Sequence, residues 1–211
     1  MKLTKTNLKL YAVTDRAWLD GRTLESCVAA ALAGGATMIQ LREKQASFEQ
    51  FLQLAQKIKP LCQQYQVPFI INDNVAVAKA CGADGVHIGQ GDQSIAQVKA
   101  EWPAAQIIGV SVQTVAQARQ AEQQGASYLG VGAMFATQTK GDATAVSFTA
   151  LKQITTAVNI PVCAIGGIHQ GNIKQLYGTG IAGVALVSEI FDQQQIQAHA
   201  QTLAKLTIPF Q

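Results

Sequence analysis

Eight short apolar runs, rich in β-branched residues and each closing on a polar, glycine or charged residue, recur along this chain and leave few folds open to it. They are residues 8–15 (LKLYAVTD), 36–44 (ATMIQLREK), 67–73 (VPFIIND) and 83–92 (ADGVHIGQGD). The series continues with 105–111 (AQIIGVS), 127–140 (SYLGVGAMFATQTK), 160–167 (IPVCAIGG) and 182–188 (AGVALVS). Strands of a parallel sheet are covered on both faces, so they read as near-continuous apolar stretches. Between the runs the apolar residues change to helical spacing. Residues 22–33 place Leu24, Cys27, Val28, Ala31 and Leu32 at i, i+3, i+4, i+7 and i+8. Residues 48–65 do the same with Phe51, Leu52, Ala55, Ile58, Leu61 and Cys62. Shorter helical patterns cover 75–81, 94–101, 114–124, 147–158, 170–177 and 193–206.

This unbroken alternation predicts βαβ units on a parallel sheet. A single-domain α/β chain over residues 1–211, folded as a (β/α)₈ TIM barrel, is the reading that uses all eight strands; 211 residues is short for such a barrel but sufficient. An open doubly wound sheet is the alternative, because periodicity does not by itself establish closure. Gly34–Gly35, Gly82, Gly125 and Gly180 each follow a helical pattern and precede a strand, as expected of helix-ending glycines at positive φ. Pro68 and Pro161 open strands, where a missing N–H is tolerated.

Hydrophobic residues make up 48% of the chain and charged ones 14%, which describes a packed chain and excludes a disordered one. The net charge of +3 comes from scattered Lys and Arg without a basic run, so no nucleic-acid footprint is expected. The N-terminal segment lacks a signal-peptide apolar region, and no stretch approaches the roughly 18 apolar residues of a membrane span. Cys27, Cys62, Cys81 and Cys163 show no metal-binding or CxxC spacing and read as buried free thiols. A cytoplasmic location is the expectation.

If the barrel forms, its βα turns present Asp15; Gln40, Arg42 and Lys44; Asn72 and Asp73; Gln90 and Asp92; Ser111; Thr137, Thr139 and Lys140; Gly166 and Gly167; and Ser188. Cations, carboxylates and amides are present, whereas no Ser/His/Asp or Cys/His arrangement can be picked out. Such an inventory suits an anionic substrate with a divalent metal better than acyl transfer. Asp73 and Asp92 follow adjacent strands, and Mg²⁺ takes one or two carboxylates together with phosphate oxygens. The competing reading makes them N-caps of the helices beginning near Asn74 and Ser94. Gln40, Arg42 and Lys44 share one phase of a period-two strand, so all three should point to the barrel axis. The Gly166–Gly167 turn and Val187–Ser188 occupy the phosphate-binding position of such barrels. His87 reads as packed within its strand, and His169 and His199 as exposed on helices. Trp18 and Trp102 read as packing residues.

Taken in order, YAVTD, QLREK, FIINDN, ADGVHIGQGD, GVS, YLGVGAMFATQTK, AIGGI and GVALVS resemble the thiamine phosphate synthase family, over about residues 10–206. The resemblance implies a barrel that joins 4-amino-5-hydroxymethyl-2-methylpyrimidine diphosphate to 4-methyl-5-(2-hydroxyethyl)thiazole phosphate, releasing diphosphate. It implies one Mg²⁺ per subunit on Asp73 and Asp92. The pyrimidine diphosphate would be held from Gln40, Leu41, Arg42, Glu43 and Lys44, with Asn72, Ser111 and Lys140. The thiazole phosphate would be held by Thr137, Gln138, Thr139, Gly166, Gly167, Val187 and Ser188. Arg42, Lys44, Ser111 and Lys140 would carry catalysis, by stabilising a departing diphosphate in a dissociative substitution. Relatives of this size are often homodimers. Two positions depart from the family pattern: Gln113 stands where a His is often found, and GDATAVSF lacks the Gly common before the sixth helix. Thiazole tautomerase, on the same barrel, is the rival. It is disfavoured by Gln40, Asp92, TQTK and by GAMF in place of a His-bearing segment. A non-catalytic barrel that binds thiazole phosphate or a partner protein is the other alternative.

Overall fold

The computed structural model describes residues 3–137 and 145–210. Among them, eight parallel strands close in sequence order into a barrel, with strand eight pairing back to strand one through Leu10, Tyr11 and Ala12. Closure settles the choice between a barrel and an open sheet. The strands are β1 (Leu10–Val13), β2 (Met38–Leu41), β3 (Phe69–Asn72) and β4 (Gly85–Ile88). They continue as β5 (Ile107–Val112), β6 (Tyr128–Val131), β7 (Val162–Ile165) and β8 (Gly183–Leu186). The helices are α1 (Leu24–Ala33), α2 (Phe48–Gln64), α3 (Val75–Cys81), α4 (Ile95–Glu101), α5 (Val115–Gln124), α6 (Phe148–Ala157), α7 (Ser188–Phe191) and α8 (Ile196–Leu206).

Strand periodicity sorts the apolar residues into two cores. Leu10, Ala12, Ile39, Leu41, Phe69 and Ile71 face outward and pack under the helices. Their neighbours in the other phase, Tyr11, Val13, Met38, Ile70, Tyr128 and Cys163, fill the barrel interior. Each such side chain removed from water contributes roughly 1.5–3 kcal/mol, which is why both phases of every strand must be apolar or paired. All four cysteines are buried and free, as expected. Burial pushes the Cys163 thiol up to about 12.

Helix starts follow the capping rules: Thr23, Ser47, Asn74, Ser94, Thr114 and Ser147 each accept a hydrogen bond from the backbone N–H three residues on. Helix ends show a device that the glycine pattern only half disclosed. Gly35, Gly82, Gly125 and Gly180 do take positive φ, whereas Gly34 keeps φ −83°. Over two of these turns lies an ammonium from the preceding helix: Lys59 donates to Cys81 O at 2.9 Å and Lys99 to Gln124 O at 2.7 Å, with Lys79 donating to Glu101 O at 3.2 Å between them. Lys59, Lys79 and Lys99 recur every twenty residues, and each sets a positive charge on the negative end of the next helix.

One expected helix is absent. Residues 170–177 form only a 3₁₀ turn, Ile173–Leu176, because Gly178 and Gly180 both adopt positive φ and Asn172 turns its side chain back into the preceding loop. Among the described residues no helix is long and apolar enough to cross a membrane.

Candidate functional site

The C-terminal ends of the strands open onto one cavity of about 1090 Å³. At its floor, five polar side chains from five strands make a continuous hydrogen-bonded row. Gln40 Nε2 donates to the Tyr11 hydroxyl at 2.5 Å, the Tyr11 and Tyr128 hydroxyls are 2.8 Å apart, and the Tyr128 hydroxyl lies 2.9 Å from His87 Nδ1. His87 Nε2 is 2.9 Å from Ser111 Oγ. Since Gln40 donates, the arrangement that leaves no tyrosine proton unpaired runs one way: Tyr11 to Tyr128, Tyr128 to His87 Nδ1, and the His87 Nε2–H to Ser111. Burial holds both phenols far above their ordinary titration range, so they stay protonated donors. Gly109 makes the row fit, because a Cβ there would fall 2.1 Å from the Tyr128 ring.

Above the floor, the period-two expectation for the second strand is met. Gln40, Arg42 and Lys44 all border the cavity. Arg42 is held by the Asp15 carboxylate at 2.6 Å, and its backbone N–H donates to Thr14 Oγ1 at 3.0 Å. The same alternation turns the side chains of Leu41 and Glu43 away from the cavity. Leu41 is fully buried in the outer core, and Glu43 turns to Arg16 at 3.2 Å with its side chain only 5% exposed. Neither side chain reaches the cavity. Burial raises the Glu43 carboxyl, and its Oε1 has no hydrogen-bond partner among the described residues.

Asn72, Asp73 and Asp92 also border the cavity. The capping explanation for the two acids fails, because Asn74 caps α3 and Ser94 caps α4. Asp73 sits at φ 60°, a left-handed conformation that Asp tolerates better than most residues. Its N–H is anchored on His87 O at 2.8 Å, and its carboxylate is 3.3 Å from Lys44 Nζ. Asp92 accepts from Gly89 N–H at 2.6 Å. Burial first, and the Asp92 charge second, raise Asp73 above the usual carboxylate range despite Lys44. Among the described residues no three His, Cys, Asp or Glu side chains gather as a protein-only metal cage. An acid pair with a cation beside it fits the sparser set that a magnesium phosphate complex uses.

The opposite wall is backbone. Gly166 and Gly167 take φ 96° and 62° after β7, and a Cβ on Gly167 would lie 2.3 Å from Ala136 O. Val187 and Ser188 line the same side, as does Thr137. Gln138, Thr139 and Lys140 lie outside the described residues. Gln113, standing where the family often has His, borders the cavity and donates from Nε2 to Gly132 O at 3.2 Å.

Several cavity residues escaped the sequence reading. Tyr11 and Tyr128 stand inside apolar runs with nothing in sequence to mark their hydroxyls; His87 is packed as expected, yet it also faces the cavity. Trp18 borders the cavity and does more than pack, on a 3₁₀ turn capped by Asp15. His169 is exposed in the loop after β7, off any helix, and His199 is on α8 but half-buried against Glu189. The available signal for His87 was its phase: a polar residue one strand-repeat below Gly89, with Gly109 opposite it on β5.

Fold and cavity together define a (β/α)₈-barrel enzyme that works at the C-terminal ends of its strands. Residues 10–190 match the model of the thiamine monophosphate synthase family. The chain is 46% identical over 205 residues to the thiamine-phosphate synthase of Ruminiclostridium cellulolyticum, covering 97% of this chain and 98% of that one. It is 45% identical over 203 residues to that of Enterococcus faecalis, covering 96% of each. Its backbone is similar to thiamine phosphate pyrophosphorylase from Pyrococcus furiosus, with a TM-score of 0.89, 36% identity and 96% of each chain covered. The chain belongs to the thiamine monophosphate synthase family.

Proposed function

We propose that the chain condenses 4-amino-5-hydroxymethyl-2-methylpyrimidine diphosphate with 4-methyl-5-(2-hydroxyethyl)thiazole phosphate, yielding thiamine phosphate and diphosphate, and that it does so with Mg²⁺ on Asp73 and Asp92. The observation that carries the metal reading is the acid pair itself: neither acid caps a helix, and both border one cavity beside Lys44. Two carboxylates on one wall offer a divalent cation the oxygen ligands it prefers. When bound, Mg²⁺ would neutralise charge developing on the departing diphosphate.

The chain's own residues supply the rest. Arg42, fixed by Asp15, and Lys44, beside Asp73, place two positive charges on the diphosphate side of the cavity. The family motif implies that Lys140 also serves the diphosphate. Gln40 and Ser111, at the two ends of the floor row, are placed to read the pyrimidine ring. With His87 Nε2–H donating to Ser111, the Ser111 hydroxyl proton is left available to the substrate. The methylene–oxygen bond of the pyrimidine diphosphate breaks, the electron pair leaves with diphosphate, and the thiazole nitrogen adds to the resulting cation. This course needs charges placed before reaction more than it needs a base, and each such contact is worth about 10²–10³ in rate. Gly166–Gly167 and Val187–Ser188 hold the thiazole phosphate on the opposite wall. The four buried free thiols support a reducing, cytoplasmic setting.

Diphosphate release, measured with both substrates and with each omitted in turn, tests the reading. Release only when both are present supports it. Isomerisation of a thiazole precursor without release would assign the chain to the tautomerase alternative. Binding of thiazole phosphate with no turnover would leave only a non-catalytic barrel. Asp92→Ala should stay folded and lose Mg²⁺-dependent turnover.

A further inference from the structure

The residue after Ser188 is an acid, and its position is odd for one. Glu189 borders the cavity on the wall whose loops present backbone N–H groups, with a side chain only 16% exposed. A carboxylate there repels any phosphate unless its charge is engaged elsewhere, and it is. A single oxygen, Glu189 Oε1, accepts from Gln170 N–H at 2.9 Å and from His199 Nε2 at 2.9 Å. Gln170 belongs to the loop after β7, three residues beyond Gly167, and His199 belongs to α8. One atom therefore joins the β7 loop, α7 and α8.

The loop it grips is also braced from within. Asn172, 7% exposed, donates from Nδ2 to Gly167 O at 2.9 Å and accepts from His169 N–H at 2.8 Å. Gly171 N–H donates to His169 Nδ1 at 3.2 Å. Asn172 thus fixes the shape of the Gly166–Gly167 turn, and Glu189 fixes where that turn sits relative to Val187–Ser188. Two turns at the ends of separate strands otherwise move independently, and ordering them on binding has an entropic cost. Donors already aligned avoid that cost.

We infer that Glu189, oriented by His199, is a positioning residue that locks the β7 turn against the β8 turn so that the backbone donors of both converge on the phosphate of the second substrate. This rests on the reading of Gly166–Gly167 and Val187–Ser188 as a phosphate cradle.

Steady-state kinetics of the full chain, with each substrate varied in turn, test it on Glu189→Ala, Glu189→Gln, His199→Ala and the double alanine variant. Glu189→Ala should raise KM for thiazole phosphate by about tenfold, the equivalent of one good hydrogen bond, while KM for pyrimidine diphosphate and kcat move much less. Glu189→Gln keeps a carbonyl acceptor in the same place and should recover most of the affinity. His199→Ala should raise the same KM, and the double variant should be no worse than Glu189→Ala alone, as expected of residues acting as a unit. Equal rises in both KM values, or a glutamine variant as poor as alanine, would overturn the inference. If Glu189→Ala does not fold, the glutamine and His199→Ala variants decide. Gly166→Ala separates the clamp from the cradle, since its methyl would lie 2.6 Å from Ala133 Cβ and displace the turn whatever Glu189 does. A raised thiazole phosphate KM in folded Gly166→Ala, with none in Glu189→Ala, refutes the clamp alone. No rise in either refutes the cradle as well.

Discussion

Replacing Tyr128 with Phe removes one hydroxyl from the middle of the floor row and leaves the packing in place. The Phe ring keeps the edge-on contact with Tyr11, at 5.9 Å between centroids, and the tilted contact with His87 at 5.4 Å. What is lost is the oxygen that lies 2.8 Å from the Tyr11 hydroxyl and 2.9 Å from His87 Nδ1. Both partners remain buried. Losing two hydrogen bonds whose partners stay buried, at about 1–2 kcal/mol each, comes to about 2–4 kcal/mol. For a chain of this length that is a fall in Tm of roughly 4–16 °C. The second effect is on the reaction. Without an acceptor demand from Tyr128, His87 no longer has its proton fixed on Nε2, and Ser111 loses its donor. One misplaced hydrogen bond costs about 1 kcal/mol, or roughly five- to tenfold in kcat/KM for the pyrimidine diphosphate. Thermal melting followed by circular dichroism and initial-rate kinetics measure the two effects. A variant that melts within a degree of the parent with unchanged kcat/KM would refute the one-way row.

Other expectations follow from the same geometry. Lys99→Met removes the ammonium from Gln124 O at 2.7 Å, and should lower stability by about 0.3–1 kcal/mol while leaving the kinetics alone; a melting comparison checks it. The raised Asp73 carboxyl makes a signed pH prediction. Between the ordinary carboxylate value and its raised folded value, the folded protein binds more protons than the unfolded chain, so metal-free stability falls as pH rises through that window. Asp73→Asn, which cannot ionise, should therefore gain on the parent as pH increases, and a pH series of melts should show the difference widening. Across the same window Mg²⁺ binding should strengthen with pH and release protons, which calorimetry in buffers of different ionisation enthalpy can count.

The barrel was legible because burial on both faces writes itself into every strand as an apolar run, and because capping residues and positive-φ glycines punctuate the helices. The stretch 170–177 misled because an apolar spacing of three to four is satisfied equally by one 3₁₀ turn between glycines. Gln40, Arg42 and Lys44 could be placed from phase alone, and the same phase excludes the side chains of Leu41 and Glu43. The floor row could not be read that way. Tyr11 and Tyr128 are 117 residues apart, and an interior tyrosine looks like core until closure of the barrel brings its hydroxyl to another. Glu189 was hidden for a similar reason: its partners come from the loop before it and the helix after it, and neither is at helical spacing from it.

The most direct test is a crystal structure with Mg²⁺ and the pyrimidine diphosphate bound. The expected result is a cation held by the carboxylates of Asp73 and Asp92 and by diphosphate oxygens, with Arg42 and Lys44 on the same diphosphate and the pyrimidine ring between Gln40 and Ser111. A diphosphate seated instead on Gly166–Gly167 and Ser188, or a cation that touches neither Asp73 nor Asp92, would contradict it.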